Sequence, residues 1–277
     1  MKRLVLFTLL AAAMTVVAAC SSDSSPGRED IERARSSYSK GFYLEAEKDY
    51  ERYLQIEPQG EHRKEAWDRL SEIAVSIKGD YDRAVVLLEA MYLELGEDPD
   101  EAWKIMFQLG DVYAELGNRA KAIESFEKCL VHAEDNPEHA YRTQLRMARL
   151  YRDMGSYDLV ASTLENCADS ATEPEVKARC LYELAQSYSI ISGWNQAKKA
   201  LEELLAIQGL SEETHALAVF LLADIYEHER DYRKTRELLG SILSTYPNPK
   251  VVESRLGSLP DVAPEPIPLV PPPSEQP

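Results

Sequence analysis

The chain has 277 residues, of which 48 are acidic and 31 basic, and its formal net charge at pH 7 is −17. A chain this acidic is repelled by phosphate backbones and by anionic lipid headgroups. Because no basic stripe with interleaved aromatic residues offsets that charge, the composition argues against a nucleic-acid-binding protein.

Residues 1–19 have the composition of a targeting segment, and we exclude them from the fold. Lys2 and Arg3 precede an uncharged, mostly apolar run of 16 residues, shorter than the roughly 20 that a membrane-spanning helix needs. The run ends in small residues directly before Cys20. It resembles a bacterial lipoprotein signal peptide, in which cleavage leaves this cysteine as the acylated first residue. The alternative is an ordinary secretory signal followed by a chance cysteine.

The lipoprotein resemblance implies a location in the bacterial cell envelope. Residues 20–27 would then comprise the lipidated cysteine and a short, Ser-rich flexible tether. Several acyl chains give durable anchoring, since each buried CH₂ contributes about 0.8 kcal/mol. Among Gram-negative lipoproteins, Ser rather than Asp after the cysteine goes with sorting to the outer membrane, so the resemblance implies an anchor there, facing the periplasm. Export in a Gram-positive host is the alternative.

A fixed period runs through residues 28–247. Small residues recur at steps of 38, 38, 38, 37 and 38 residues, and each of the first four follows a glycine by five positions. A period of this size is typical of stacked copies of one supersecondary unit. The small residues are Ala46, Ala84, Ala122, Val160, Ala197 and Thr235, and the glycines are Gly41, Gly79, Gly117 and Gly155.

Each unit is predicted to be two helices joined by a tight turn. Apolar residues at spacings of three and four place one stripe on each helix, and a glycine between them permits the turn. The third copy is the clearest, with Met106, Leu109-Gly110, Tyr113, Gly117, Ala122 and Phe126. This combination resembles the tetratricopeptide repeat family, whose pattern is Leu-Gly, Tyr, Gly, Ala and then an aromatic residue or Leu. The resemblance implies an all-α, right-handed solenoid of about six repeats that presents surfaces to protein partners.

The repeats depart from the family pattern in two ways. Their period exceeds the usual value of about 34, which predicts longer connectors that end in a proline at the first turn of the next helix. The prolines concerned are Pro99, Pro137 and Pro174. In the first two copies, the equivalent first-helix residues lie about one residue out of register; they are Tyr38 and the set Trp67, Leu70 and Ala74.

Five arginines form the one candidate binding site. Four of them follow at steps of four, three and three along one predicted helix, within an arc of about 120° and away from the core side at Gln144, Met147, Ala148 and Tyr151. The resemblance implies that this side of the first helices lines a concave, peptide-binding groove. We hypothesise that Arg142, Arg146, Arg149, Arg152 and, in the next repeat, Arg179 bind an acidic segment of a partner. In the alternative, the arginines are neutralised by Asp111, Glu115, Asp153 and Asp224.

The cysteines and histidines predict no metal or cofactor site. Besides Cys20 there are Cys129, Cys167 and Cys180, without a Cys-x-x-Cys pair. Cys167 and Cys180 flank one connector, so a disulfide between them is feasible in an oxidising compartment. The interpretation we favour is three buried, inert thiols. The five histidines are scattered, and we find neither a nucleophile motif nor a phosphate-binding glycine loop, so no enzymatic activity is predicted.

Two further segments follow the repeats. Residues 248–259 are predicted to form a short cap, since terminal repeats need a covering element. Residues 260–277 contain eight prolines and no basic residue, and they are predicted to be a disordered Pro-rich tail. The tail is interpreted as a spacer or, alternatively, as a docking peptide.

Together these features predict a lipid-anchored scaffold that binds other envelope proteins in the assembly of an envelope complex. The layout is similar to the tetratricopeptide lipoproteins of β-barrel assembly, which show Tyr-Pro at repeat ends as at Tyr246-Pro247, and to the pilotins of type IV pili. The alternative function is a module that binds cell-wall glycan or a small ligand, with Tyr182 and Phe220 as stacking platforms on the concave side.

Overall fold

The computed structural model describes residues 27–133 and 136–260, and within these ranges every element of regular secondary structure is a helix. The predicted signal peptide, Cys20, the Pro-rich tail after Pro260 and two connector residues, 134 and 135, lie outside the described residues. The all-α fold is therefore confirmed. The 13 helices are α1 Arg28–Ser39, α2 Tyr43–Ile56, α3 Arg63–Glu72, α4 Tyr81–Leu95, α5 Pro99–Glu115, α6 Arg119–His132, α7 Pro137–Asp153, α8 Tyr157–Ser170, α9 Pro174–Ile190, α10 Trp194–Leu205, α11 Glu212–His228, α12 Tyr232–Ser241 and α13 Pro249–Ser258.

The helices belong to two compact units, one ending at His132 and the other beginning at Ala133. Unit 1 contains α1 to α6, and unit 2 contains α7 to α13. Within each unit consecutive helices pack as hairpins, α1 with α2, α3 with α4 and α5 with α6, and likewise α7 with α8, α9 with α10 and α11 with α12. These six hairpins are the repeats that the period predicts, and helices α5, α7 and α9 begin at the predicted prolines.

Every hairpin turns through one residue in the left-handed backbone region. In the third hairpin this residue is Gly117, with φ +72°, and the following amide, of Asn118, donates to the carbonyl of Tyr113 over 2.8 Å. This is the Schellman arrangement that ends a helix and satisfies its last carbonyls. In the last two hairpins the left-handed residue is not a glycine but Ser192 (φ 61°) and Arg230 (φ 65°).

Those two side chains should strain their turns. A non-glycine residue in the left-handed region costs about 1–2 kcal/mol. Glycine avoids this cost but loses more conformational entropy on folding, so the net gain from a glycine is smaller. We expect Arg230→Gly to raise the free energy of unfolding by about 0.5–1 kcal/mol. Gly117→Ala should lower the free energy of unfolding by a similar amount, because alanine is strained at this φ. No steric clash adds to that cost, since a Cβ there would meet nothing within 4 Å. Urea unfolding of the two variants tests this, and a destabilised Arg230→Gly variant would contradict it.

Helix α3 explains why the second copy is out of register. It continues without a break as a π-helical segment, Ile73–Lys78, and a π-helix takes up one more residue per hydrogen-bonded turn than an α-helix. The bond that closes this turn joins the amide of Asp80 to the carbonyl of Ala74, six positions earlier. In the third hairpin the corresponding bond, from Asn118 to Tyr113, reaches back five positions. Trp67, Leu70 and Ala74 are thereby displaced by one position, as the sequence indicates.

The small residue early in each second helix lies at the centre of the hairpin seam. All six, from Ala46 to Thr235, have exposures of 0 or 1%, so the two helix backbones approach closely at this point. The large residue four positions later fills the remaining space. In the third hairpin it is Phe126, and a Cβ added to Gly110 would lie 2.6 Å from its Cε1. The three hairpins of unit 2 instead combine Ala148, Ala185 or Ala223 with a leucine.

The first repeat is closed by a charged network on α1 and α2. Asp30 and Asp49 are buried there, and the guanidinium groups of Arg33 and Arg52 bind both carboxylates. In the third repeat, the equivalent positions are occupied by Met106 and Ser125. A polar face of this kind suits a terminal repeat.

The last repeat is covered by α13, which lies within the segment 248–259 that the sequence predicts to form a cap. Val252 and Leu259 are buried against Ala216, Val219 and Leu239 of the sixth hairpin. One turn after Val252, Arg255 bonds to Glu227 over 2.7 Å and also pairs with Asp224. The cap therefore covers both apolar and charged surface of α11.

Candidate functional site

The first helices of the three hairpins in unit 2 form a groove of about 360 Å³. We call it the unit-2 groove. Its walls combine aromatic and aliphatic side chains with two guanidinium groups, a mixture suited to an extended peptide. The lining residues are Tyr141, Leu145 and Arg149 of α7, Arg179, Tyr182 and Glu183 of α9, and Ser211, Glu213, Thr214 and Leu217 at the start of α11.

The structure brings two of the five predicted arginines together in this groove. Arg149, whose side chain is 54% exposed, and the exposed Arg179 both line it. Arg142 and Arg146 lie on the same helix as Arg149 but are not among the lining residues. The opposite side of that helix packs in the core through Met147, Ala148 and Tyr151, as the sequence indicates, so α7 has the expected orientation.

Arg152 belongs to the scaffold rather than to the groove, contrary to the sequence hypothesis. Only 20% of its side chain is exposed, and its Nη2 donates to Glu183 Oε2 over 3.0 Å and to Ser187 Oγ over 2.9 Å. These bonds fasten α7 to α9. Arg149 makes a longer contact to the same carboxylate, 3.8 Å from Nη2 to Oε1, so it retains hydrogen-bonding capacity toward a ligand.

The counter-charge comes from a residue that the sequence did not indicate. Glu183, on the neighbouring repeat, is the carboxylate that meets Arg149 and Arg152. Asp224, one of the carboxylates considered from the sequence, pairs instead with Arg255. Glu183 occupies the position one repeat after Arg146, and only the lateral stacking of α7 on α9 places it beside the arginines.

Arg179 has a neutral partner in the groove. It donates a hydrogen bond to the Tyr141 hydroxyl, and this bond raises the pKa of Arg179. Burial raises the pKa of Tyr141 and of Tyr182, so both phenols stay protonated at neutral pH. The groove therefore offers guanidinium donors beside uncharged aromatic rings.

Glu175 fixes the third wall of the groove. Its carboxylate accepts hydrogen bonds from the backbone amide of Ser211 and from Thr214 Oγ1, the latter over 2.8 Å. The bond from the Ser211 amide is the main cause of a lowered pKa at Glu175. Because these bonds join α9 to the first turn of α11, the spacing of the two walls is set within the protein.

Only one of the two aromatic platforms considered from the sequence remains available. Tyr182 lines the groove. Phe220 does not, because Tyr246 stacks on it with ring centroids 4.7 Å apart and the Arg255 guanidinium lies 5.1 Å from its ring centre. The cap region thus covers the surface that Phe220 was expected to present.

The equivalent helices of unit 1 form a more open depression with a different character. It is lined by the residues Lys64, Glu65, Asp68, Arg69, Glu72, Lys104 and Gln108. Lys64 pairs with Glu101 over 3.1 Å, and Lys104 pairs with Asp68 over 2.7 Å. Since the depression is more open and no aromatic side chain is among its lining residues, the unit-2 groove is the stronger candidate for ligand binding.

A disulfide lies behind the groove, between Cys167 of α8 and Cys180 of α9, with Cα atoms 5.9 Å apart. The favoured sequence interpretation, three separate thiols, therefore does not hold for this pair. It holds for Cys129, which is buried, donates to the Trp103 carbonyl over 3.6 Å and has a pKa raised by burial. In the ranges 27–133 and 136–260 no cluster of His, Cys, Asp or Glu has the makings of a metal site. No described helix combines the length and apolar character needed to cross a membrane.

Two models of the family described as "Tetratricopeptide repeat" match the chain, at residues 103–136 and 217–249. These stretches coincide with the third and sixth hairpins, which have the geometry described above. The chain is a tetratricopeptide repeat protein. Repeats of this kind form protein-protein interaction scaffolds, and the protein is assigned to that class.

Solved structures agree with this tetratricopeptide repeat fold. The C-terminal part of a repeat-containing protein from Cytophaga hutchinsonii is 19% identical at TM-score 0.62, covering 89% of this chain and 94% of its own. The apo form of RapI is 13% identical at TM-score 0.62, with coverages of 85% and 70%. BtubC (BKLC) from P. vanneervenii is 15% identical at TM-score 0.55, with coverages of 87% and 96%. No curated protein matches the sequence of this chain significantly.

Proposed function

We propose that this protein is a lipid-anchored scaffold at the periplasmic face of the bacterial outer membrane, where it holds partner proteins during assembly of an envelope complex. Its unit-2 groove binds an acidic, extended segment of a partner. The observation that carries the proposal is the pair of groove arginines, Arg149 and Arg179, placed beside the apolar surface of Leu145, Tyr182 and Leu217.

The proposed location rests on the sequence before the first repeat and on the disulfide. Cys20, after an apolar run that ends in small residues, is the expected acylation site. A buried Cys167–Cys180 bond fits an exported protein, because disulfides persist in oxidising compartments and are rare in the cytosol. Intact-mass analysis of the protein purified from membranes tests the anchor. We expect a chain that begins at Cys20 and carries acyl groups, and an unmodified Cys20 would contradict the proposal.

The proposed ligand follows from the chemistry of the groove. Guanidinium groups bind carboxylates through paired, charge-assisted hydrogen bonds, and in a protein with a net charge of −17 such a site stands out from its surroundings. The apolar side chains between the arginines suit a segment that also carries hydrophobic residues. A partner segment with one or two carboxylates flanking aliphatic side chains meets both requirements.

Charge reversal tests the groove. In an Arg149→Glu/Arg179→Glu variant the groove repels carboxylates, and we expect recovery of the partner from solubilised envelopes to fall at least about tenfold, which corresponds to 1.4 kcal/mol. Quantitative mass spectrometry of the co-purified proteins measures this. The matched control is Lys199→Glu/Lys250→Glu, which changes the net charge equally at two exposed residues outside the groove. Unchanged recovery with the groove variant would overturn the proposal.

The alternative, a glycan-binding module, draws support from Tyr141 and Tyr182 in the groove. Sugar rings stack on aromatic faces and do not require guanidinium groups, so the two candidates respond differently to the same variants. Binding of a soluble cell-wall glycan fragment that is lost in Tyr182→Ala and retained in the charge-reversed variant would favour the alternative.

A further inference from the structure

Three carboxylates lie at the unit-2 groove, and two of them are satisfied within the protein. Glu183 pairs with Arg152 over 3.0 Å, and Glu175 accepts a hydrogen bond from Thr214 Oγ1 over 2.8 Å. The third is Glu213, which lines the groove. Its carboxylate forms no hydrogen bond or ion pair with any residue in the described ranges.

The repeat pattern accounts for this difference between Glu175 and Glu213. Glu213 takes the position in the sixth hairpin that Glu175 takes in the fifth, 38 residues earlier, and each is the second residue of its helix. The carboxylate of Glu175 is satisfied by the first turn of α11, the first helix of the next hairpin. The sixth hairpin is followed by the cap α13 instead, and within the described residues no bond joins the Glu213 carboxylate to that cap. This carboxylate therefore faces solvent in the groove.

A ligand that covers the groove has to satisfy Glu213. The residue is exposed in the free protein, so water solvates its charge. Leu217, which also lines the groove, lies one helical turn further along α11, and a segment that packs on Leu217 displaces that water. Covering an ionised carboxylate without supplying a donor is costly, whereas a charge-assisted bond from a Lys or Arg side chain offsets the loss. The groove therefore disfavours a purely acidic segment.

The order of the helices gives the spacing of the charges in such a segment. Arg149 lies on α7, Arg179 on α9 and Glu213 on α11, and α9 contacts both of the other helices. The axes of packed helices are about 8–10 Å apart, and an extended chain advances about 3.3 Å per residue. One helix spacing thus corresponds to about three residues of ligand, and two spacings to about six.

We propose that the segment bound in the unit-2 groove is of mixed charge. Its carboxylates bind Arg149 and Arg179, and a Lys or Arg about three to six positions away binds Glu213. This inference rests on the proposed function of the groove and defines its ligand more closely. Glu213 is then a specificity-determining residue, because it favours a segment with a base at this place and repels one that brings a further carboxylate there.

Fluorescence anisotropy with three labelled peptides tests the proposal on the full-length protein. The probes are Glu-Leu-Glu-Leu-Ala-Leu-Lys and its two variants that end in Gln or Glu, each labelled at the amino end and amidated at the carboxyl end. We expect the Lys probe to bind the wild type about tenfold more tightly than the Gln probe, and the Glu probe to bind more weakly than either. In Glu213→Gln the preference for Lys over Gln should disappear. The matched control is Glu212→Gln, the same change at the neighbouring exposed residue outside the groove lining, which should keep the preference.

A charge swap distinguishes recognition from a structural effect of the substitution. In Glu213→Arg the order of the three probes should reverse, so that the Glu probe binds most tightly. A variant that had merely distorted the groove would weaken all three probes together and leave their order unchanged, and that result would overturn the proposal.

The same probes separate failure of this inference from failure of the proposed function. If the Gln probe binds the wild type and is lost in Arg149→Glu/Arg179→Glu, but the Lys probe has no advantage, the mixed-charge ligand is wrong and the acidic-ligand groove stands. A preference for the Lys probe that survives in Glu213→Gln also overturns the inference. If no probe binds the wild type, or if binding persists after reversal of the two arginines, both proposals are contradicted.

Discussion

Reduction of the Cys167–Cys180 disulfide is expected to lower the free energy of unfolding by about 3 kcal/mol. The two cysteines are 13 residues apart, and cross-linking a loop of this length removes about that much loop-closure entropy from the unfolded chain. Because each repeat contacts only its neighbours, the loss should be concentrated at the junction of the fourth and fifth repeats. Those repeats supply two walls of the unit-2 groove, so its ligand affinity should fall as well.

Urea unfolding with and without reductant measures this effect, and hydrogen exchange of α8 and α9 locates it. The Cys167→Ala/Cys180→Ala variant should match the reduced wild type and should not respond to reductant. Cys129→Ala is the control, because it removes a buried thiol that forms no disulfide and should leave the response to reductant intact. A wild type whose unfolding midpoint is the same in both conditions would contradict the account.

Gly110→Ala is expected to destabilise the third repeat by about 1–2 kcal/mol, although alanine is the better helix former. The new Cβ would lie 2.6 Å from Phe126 Cε1 and 2.8 Å from two further ring atoms, and Phe126 is 1% exposed. A ring confined in a packed core cannot move without displacing its neighbours. The steric cost therefore exceeds the gain in helix propensity, which is about 1 kcal/mol.

The other repeats indicate how this cost can be removed. Ala148 faces Leu164 in the fourth repeat, so Gly110→Ala/Phe126→Leu transfers that pairing to the third. We expect the double variant to be more stable than the sum of the single changes implies, with a coupling energy of at least about 1 kcal/mol. Gly240→Ala is the control for helix propensity alone, because a Cβ there meets nothing within 4 Å. Strictly additive effects would contradict the packing argument.

The repeat architecture could be predicted from the sequence because the period reports backbone geometry directly. A residue such as Ala122 is small where two helix axes approach, and Gly117 is a glycine where the turn needs a positive φ. The same logic misses Ser192 and Arg230, which take the same positive φ although neither is a glycine. The register shift of Trp67, Leu70 and Ala74 shows in the sequence that the second copy is irregular, but it does not identify the π-helical segment Ile73–Lys78 as the cause.

The groove was only partly predictable, because it depends on contacts between repeats. Helix periodicity correctly indicated which side of α7 carries Arg149. It could not indicate that Arg152 turns toward Ser187, or that Glu183 lies within reach of two arginines. The covering of Phe220 by Tyr246 and Arg255 likewise depends on how α13 packs against α11, which no local pattern specifies.

Photo-crosslinking in intact cells tests the central claim most directly. A photoreactive residue is placed at Leu217 in the unit-2 groove, with Lys199 as a control position outside it, and crosslinked peptides are identified by mass spectrometry. The account predicts crosslinks from Leu217 to an acidic segment of an envelope protein. The Arg149→Glu/Arg179→Glu change should remove this product. Crosslinks from Leu217 that are confined to glycan, or that persist after charge reversal, would contradict the claim that the groove is a binding site for acidic protein segments.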